Sequence, residues 1–151
     1  MILDDIEKEV GKNMPIAYRK LLETIDDFEY IEGLDYPEVD SKTSWFFWGK
    51  ARLAEMVHID GAVDRPAWNL LASFVEIDKK YRHRNQAPSN LGPVDYDRLN
   101  NSIVIAEDNG DYLYFDVDNG FSMWVYWHDS GEVIKISESF DVWAVSMVRD
   151  S

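Results

Sequence analysis

The side chains best suited to acid–base work near neutral pH are three histidines, His58, His83 and His128. They are scattered, and nothing in their spacing makes them converge. His128 precedes Asp129, and a carboxylate beside an imidazole tunes a base, but a Gly follows two residues on and the pair reads as part of a turn. Asp116-Val-Asp118-Asn119-Gly120 has the look of a calcium loop. That loop needs Gly at its sixth position and Glu at its twelfth; counted from Asp116, those positions hold Phe121 and Trp127. There is no Gly-rich phosphate loop, no HExxH and no GxSxG. A carboxylate hydrolase needs two acids about 5 to 9.5 Å apart in a cleft, a distance no sequence displays. No catalytic residue, metal ligand or cofactor site is therefore assigned.

What the chain does concentrate is charge. Residues 26–40 read DDFEYIEGLDYPEVD: seven carboxylates, no cation, and the aromatics Phe28, Tyr30 and Tyr36. Such a run is a solvated acidic loop or a binding surface. Carboxylates steer a cationic partner and speed encounter, and interleaved aromatics supply anchors that solvated charge lacks. The partner-binding candidates are Asp26, Asp27, Glu29, Tyr30, Glu32, Asp35, Tyr36, Glu38 and Asp40. Trp45 and Trp48 stand behind them as support or anchors. A second acidic window holds Glu107, Asp108, Asp111, Asp116 and Asp118. The counter-cluster is Lys79-Lys80-Tyr81-Arg82-His83-Arg84, which complements the dipole at a helix C-terminus or meets an acidic neighbour.

The whole chain bears the same bias. In 151 residues, 29 Asp and Glu face 15 Lys and Arg, a formal charge of −14. A free-standing nucleic-acid binder needs a basic face, and an anionic membrane repels this balance. Cys is absent, which removes disulfides, thiolate nucleophiles and cysteine zinc sites together. The first ten residues lack the basic and then apolar regions of a signal peptide. No apolar run nears the ~18 residues that span a bilayer. The expectation is a cytoplasmic single domain over residues 1–151, large enough to hide roughly 68–70% of its unfolded surface. Six Trp, eight Tyr and seven Phe are available for that core or for an interface.

The elements that position these residues follow from periodicity. Leu3, Ile6 and Val10 mark a short helix over 2–11. Pro15 fits the first position of the next, whose face is Tyr18, Leu21, Leu22 and Ile25. Residues 50–58 and 66–82 read as two middle helices, 45–48 as a strand or buried segment, and 85–98 as a long loop. From residue 102 the period changes. Strands are expected at 103–106, 112–116, 123–127 and 133–136, joined by Asn109-Gly110, Asp118-Asn119-Gly120 and Asp129-Ser130-Gly131. Short connections make neighbours antiparallel. Ser137 or Ser139 caps a last helix with Phe140, Trp143, Ala144 and Met147 on one face. The predicted class is α+β: a mostly antiparallel hairpin meander packed against N-terminal, middle and C-terminal helices.

Four segments resemble one known family. Met14-Pro15-Ile16-Ala17-Tyr18-Arg19-Lys20-Leu21-Leu22 is similar to the LPxxYxxFL opening of the SUKH superfamily. Ile103 to Asp111 resembles its characteristic strand and Gly turn, Val125 to Asp129 a later strand, and Ser139 to Trp143 its closing helix. The match covers about 2–25 and 102–148 in the family's order, and 26–101 shows no clear counterpart. The resemblance implies an α+β fold and no catalysis, with Pro15, Tyr18, Leu21, Gly110 and Phe140 as fold determinants. Bacterial members are mostly immunity proteins that bind polymorphic toxins, commonly nucleases and deaminases. Fungal relatives regulate cell-wall assembly through protein contacts. The leading expectation is thus an immunity protein whose acidic and aromatic surface occludes a basic toxin. The alternative is a regulatory interaction module without a toxin.

Overall fold

The computed structural model describes residues 2–149. In chain order it has α1 (Ile2–Val10), α2 (Ile16–Glu23), β1 (Phe28–Leu34), β2 (Lys42–Trp48), α3 (Lys50–Ala54), and the short strands β3 (Met56–Val57) and β4 (Arg65–Pro66). Next come α4 (Leu70–Ile77), β5 (Gln86–Ala87), β6 (Val94–Asp95) and α5 (Tyr96–Asn100). The chain ends in β7 (Ser102–Asp108), β8 (Asp111–Asp116), β9 (Ser122–Tyr126), β10 (Val133–Ser137), α6 (Phe140–Ala144) and β11 (Val148–Arg149). Seven strands form one sheet in the order β10-β9-β8-β7-β2-β1-β11, and every named pairing in it is antiparallel. The fold is α+β, as the change of period at residue 102 implies.

Local chemistry explains most boundaries. Pro15 sits one position ahead of α2, at φ −55° and ψ 131°, so the helix starts at Ile16 rather than on the proline. Asn109 and Gly110 both have positive φ, 50° and 93°, which matches the twist of a two-residue hairpin between β7 and β8. Ser139 caps α6 by accepting from the Val142 N–H at 3.2 Å. That helix is short, and Met147 packs on the core from beyond its end.

Several segments differ from expectation. Residues 28–34 form a seven-residue strand inside the acidic run. The expected helix over 66–82 divides into a 3-10 turn (67–69), α4, and a wider turn over 78–82. The helix expected over 50–58 stops at Ala54, where Met56 and Val57 pair with Pro66 and Arg65. The 85–98 stretch holds β5, β6 and the start of α5, whose N-cap Asp95 accepts from the Asp97 N–H at 2.9 Å.

Strand alternation sends side chains to two faces. On one, Tyr18 of α2 lies 5.2 Å from Phe115 and 5.7 Å from Phe140, and Trp143 of α6 lies 5.7 Å from Phe47. On the other, Phe74 of α4 stacks on Tyr126 at 5.5 Å and meets Tyr112 at 6.0 Å. Arg98 of α5 sits over Trp124, 5.3 Å from the ring centre. Trp45, Trp48, Trp124 and Trp143 are all buried in the one core cluster.

Candidate partner-binding surface

The β1–β2 hairpin splits the acidic run between the two faces. Its register pairs Phe28 with Trp48, Tyr30 with Phe46 and Glu32 with Ser44 on one side, and Glu29 with Phe47 and Ile31 with Trp45 on the other. The second side lies under α6 and is closed. The first continues the face that α4 covers over β8 and β9, but at β1 and β2 Phe28 and Tyr30 keep 51% and 47% of their surface exposed.

Three rings gather there. Phe28 stacks on Phe46 at 4.6 Å, Tyr30 meets Phe46 edge-on at 5.3 Å, and Phe28 and Tyr30 are 6.0 Å apart. Val148 of β11, opposite Glu32, extends the apolar strip and is exposed. Carboxylates surround it. Asp26 and Asp27 are exposed where the chain enters β1, Glu32 is exposed within it, and Glu38 and Asp40 are exposed in the hairpin loop. Glu107 lies opposite Phe46, and its Oε1 accepts from the Trp48 indole N–H at 3.2 Å. At the end of β7, burial raises the pKa of Asp108, with the charges of Asp111 and Asp35 adding to it.

The other candidates are placed differently. Glu29 points to the α2 face and is held by Arg149, whose Nη2 donates to Glu29 Oε1 at 2.6 Å and to Thr24 Oγ1 at 2.8 Å. Asp35 is half-buried and accepts from the Thr43 hydroxyl at 2.6 Å. Tyr36 is exposed in the loop and lines a groove of about 570 Å³ with Pro37, Glu38 and residues of β10. Trp45 and Trp48 are buried on opposite faces, so neither presents an exposed ring. Arg52 lies 5.1 Å from the Trp48 ring centre. Phe46 completes the ring cluster from outside the acidic window. Alternation within Trp45-Phe46-Phe47-Trp48 was its only signal, since it meets Phe28 and Tyr30 through pairing between strands.

Two imidazoles do meet carboxylates. His128 Nδ1 is 2.7 Å from Asp111 and its Nε2 is 3.0 Å from Asp129. His58 is 2.8 Å from Asp64 and 3.1 Å from Asp60. These contacts raise both pKa values above 6.5, the Asp111 hydrogen bond leading for His128 and the Asp64 one for His58. Both side chains are well exposed, His58 at 68% and His128 at 47%; the His58 contacts stay within the one loop between β3 and β4, whereas His128 reaches from the β9–β10 turn to Asp111 at the start of β8. Among the described residues no three His, Asp or Glu side chains are grouped to hold a metal ion, and no helix is long and apolar enough to cross a membrane.

An antiparallel sheet wrapped by short helices, with one corner left open and edged with acid, defines an α+β module. The chain belongs to the SMI1/KNR4 family (SUKH-1), whose model matches residues 2–146. That match runs through 26–101, where the sequence motifs alone show no counterpart. No curated protein and no solved structure matches the chain.

Proposed function

We propose that this chain is an immunity protein of the cytoplasm: a stoichiometric inhibitor that captures a basic toxin on the open corner of its sheet. The observation that carries the reading is the Phe28–Tyr30–Phe46 cluster, in which Phe28 and Tyr30 are exposed and Phe46 is half-buried, with carboxylates around it. Exposed aromatic clusters of this kind act as interface anchors. The charge of −14 draws a cationic partner from a distance. A nuclease or other nucleic-acid enzyme keeps its cationic cleft for phosphates, and this corner presents carboxylates in their place. Inhibition then needs no chemistry from the inhibitor, only occlusion. Asp26, Asp27, Tyr30 and Glu32 make the contact together with Phe28 and Phe46. Tyr36, Glu38 and Asp40 contribute from the loop, and Glu29 and Asp35 hold the surface in shape.

The test is co-expression with the product of the adjacent upstream gene, followed by co-purification at low and high salt. A one-to-one complex that silences a toxic activity supports immunity, and weakening by salt supports steering by charge. Phe28→Ala with Tyr30→Ala is expected to weaken the complex about 100-fold, at roughly 1–2 kcal/mol per anchor. Asp26→Lys with Glu32→Lys is expected to slow association and remove much of the salt dependence. A complex indifferent to all four changes would place the interface elsewhere. No complex and no rescue of growth would overturn immunity in favour of a regulatory module.

A further inference from the structure

The molecule also carries a charge island of the opposite sign. Lys79 to Val94 is the longest stretch of this chain without a carboxylate, in a protein with 29 of them. Lys79, Lys80, Tyr81, Arg82, His83 and Arg84 are all exposed. The nearest acids on the same segment are already engaged. Glu76 is bound by Arg65 at 3.0 Å. Asp78 is buried, accepts from the Tyr96 hydroxyl at 2.7 Å and lies 3.4 Å from Arg82. Among the described residues, Lys79, Lys80 and Arg84 have no carboxylate within 4.0 Å. Elsewhere Arg19, Lys50, Arg52, Arg65, Arg98, Lys135 and Arg149 are paired, and the other cations without such a partner among the described residues, Lys8, Lys12, Lys20 and Lys42, are scattered along the chain rather than consecutive.

The island sits on a closed turn. The turn over 78–82 ends on His83 at φ 53°, and the Arg84 N–H returns to the Asp78 carbonyl at 3.3 Å. Beside it lies a groove of about 600 Å³ lined by Arg84, Asn85, Gln86, Pro88 and Ser130. A guanidinium, two amides and a hydroxyl there form a set rich in hydrogen-bond donors, suited to carboxylates.

We infer that this turn and groove form a second docking site, which takes a short acidic peptide segment of a protein partner. Size decides between anions. A nucleic acid long enough to bind by counterion release continues past the island, and the remaining surface repels it within a Debye length of about 8 Å. A segment of four or five residues fits within the island and the groove. The inference stands apart from the open aromatic corner, and either site can fail alone.

The experiment is an amide NMR titration of the full chain with acetylated, amidated pentaglutamate, run beside a ten-nucleotide oligothymidylate. Saturable shifts confined to residues 79–86 and Ser130, fading with added salt, are expected for the peptide. Lys79→Glu with Lys80→Glu is expected to weaken it about tenfold, and Arg84→Gln to do so by a smaller factor. These residues are exposed, and an unchanged spectrum away from the turn checks that the variants fold. Shifts scattered over the surface, or equal binding by the charge-reversed variant, would overturn the proposal. So would saturable binding of the oligonucleotide at lower concentration than the peptide.

Discussion

Gly33 and Trp143 share one space. A β-carbon on Gly33 would come 2.6 Å from Trp143 Cη2 and 2.7 Å from Cε2, and the indole N–H donates to the neighbouring Leu34 carbonyl at 3.0 Å. Only glycine lets β1 approach α6 this closely, so the ring tethers the hairpin that carries Tyr30 and Glu32. Gly33→Ala is expected to cost about 3 kcal/mol by overpacking, read as a lower urea midpoint with an unchanged slope. In a Trp143→Phe background the added methyl should cost less, because the smaller ring leaves room. Additive costs would show that the two residues do not compete for space.

Asp116 and Arg98 make a second test. Asp116 is 2% exposed, and Arg98 Nε donates to its Oδ2 at 2.9 Å while the guanidinium covers Trp124. Burial raises the pKa of this carboxylate and the Arg98 contact opposes that rise. Arg98→Met is expected to cost roughly 3–5 kcal/mol, since it leaves a buried charge unpaired. Adding Asp116→Asn should recover about half of the loss. No recovery in the double variant would mean that Arg98 matters for packing on Trp124 rather than for charge.

His128 links the β7–β8 turn to the β9–β10 turn through Asp111, which also accepts from its backbone N–H at 3.0 Å. The folded pKa of His128 lies above the ordinary histidine value of 6.5, chiefly through the hydrogen bond to Asp111. Its protonated form is therefore favoured by folding. The stability this gives is complete below pH 6.5 and fades as pH rises through the folded value. His58 acts in the same sense. His128→Asn should flatten part of the decline in thermal midpoint above pH 6.5, and the further change His58→Asn should flatten the rest. An imidazole titrating at or below its unfolded value by NMR would contradict this.

Arg149 closes the far edge of the sheet. Its pairing with Glu29 and Thr24 holds a strand of two residues, which alone is too short to persist. Glu29→Gln is expected to speed hydrogen exchange at the backbone where β1 meets β11, around Ile31 and Glu32, at a global cost of about 1 kcal/mol. Protection unchanged at those amides would mean that packing, not the ion pair, seats β11.

The back half of the fold was legible because its signals are local. Asn109-Gly110 states a hairpin by the φ values it tolerates, and Ser139 states a cap by its hydroxyl. β1 was hidden because its exposed positions carry carboxylates and a ring where a covered strand would alternate more plainly. The α5 helix was hidden because Tyr96 and Leu99 give a single turn of buried spacing, too little for a period. The acidity of residues 26–40 was plain. That Glu29 faces α2 while Glu32 faces outward depends on strand register, and that Phe46 joins Phe28 and Tyr30 depends on pairing across a hairpin. Neither is a property of adjacent residues.

The uncovered corner has a colloidal consequence. At neutral pH two copies carrying the same bare aromatic strip repel each other through a formal charge of −14 apiece. Titrated toward the isoelectric point near pH 4.4, the chain loses that repulsion while the rings stay bare. Turbidity should therefore peak there in the native protein and fall when Phe28 and Tyr30 are replaced by serine. The carboxylates that edge the corner serve as its dispersant for as long as no partner covers it.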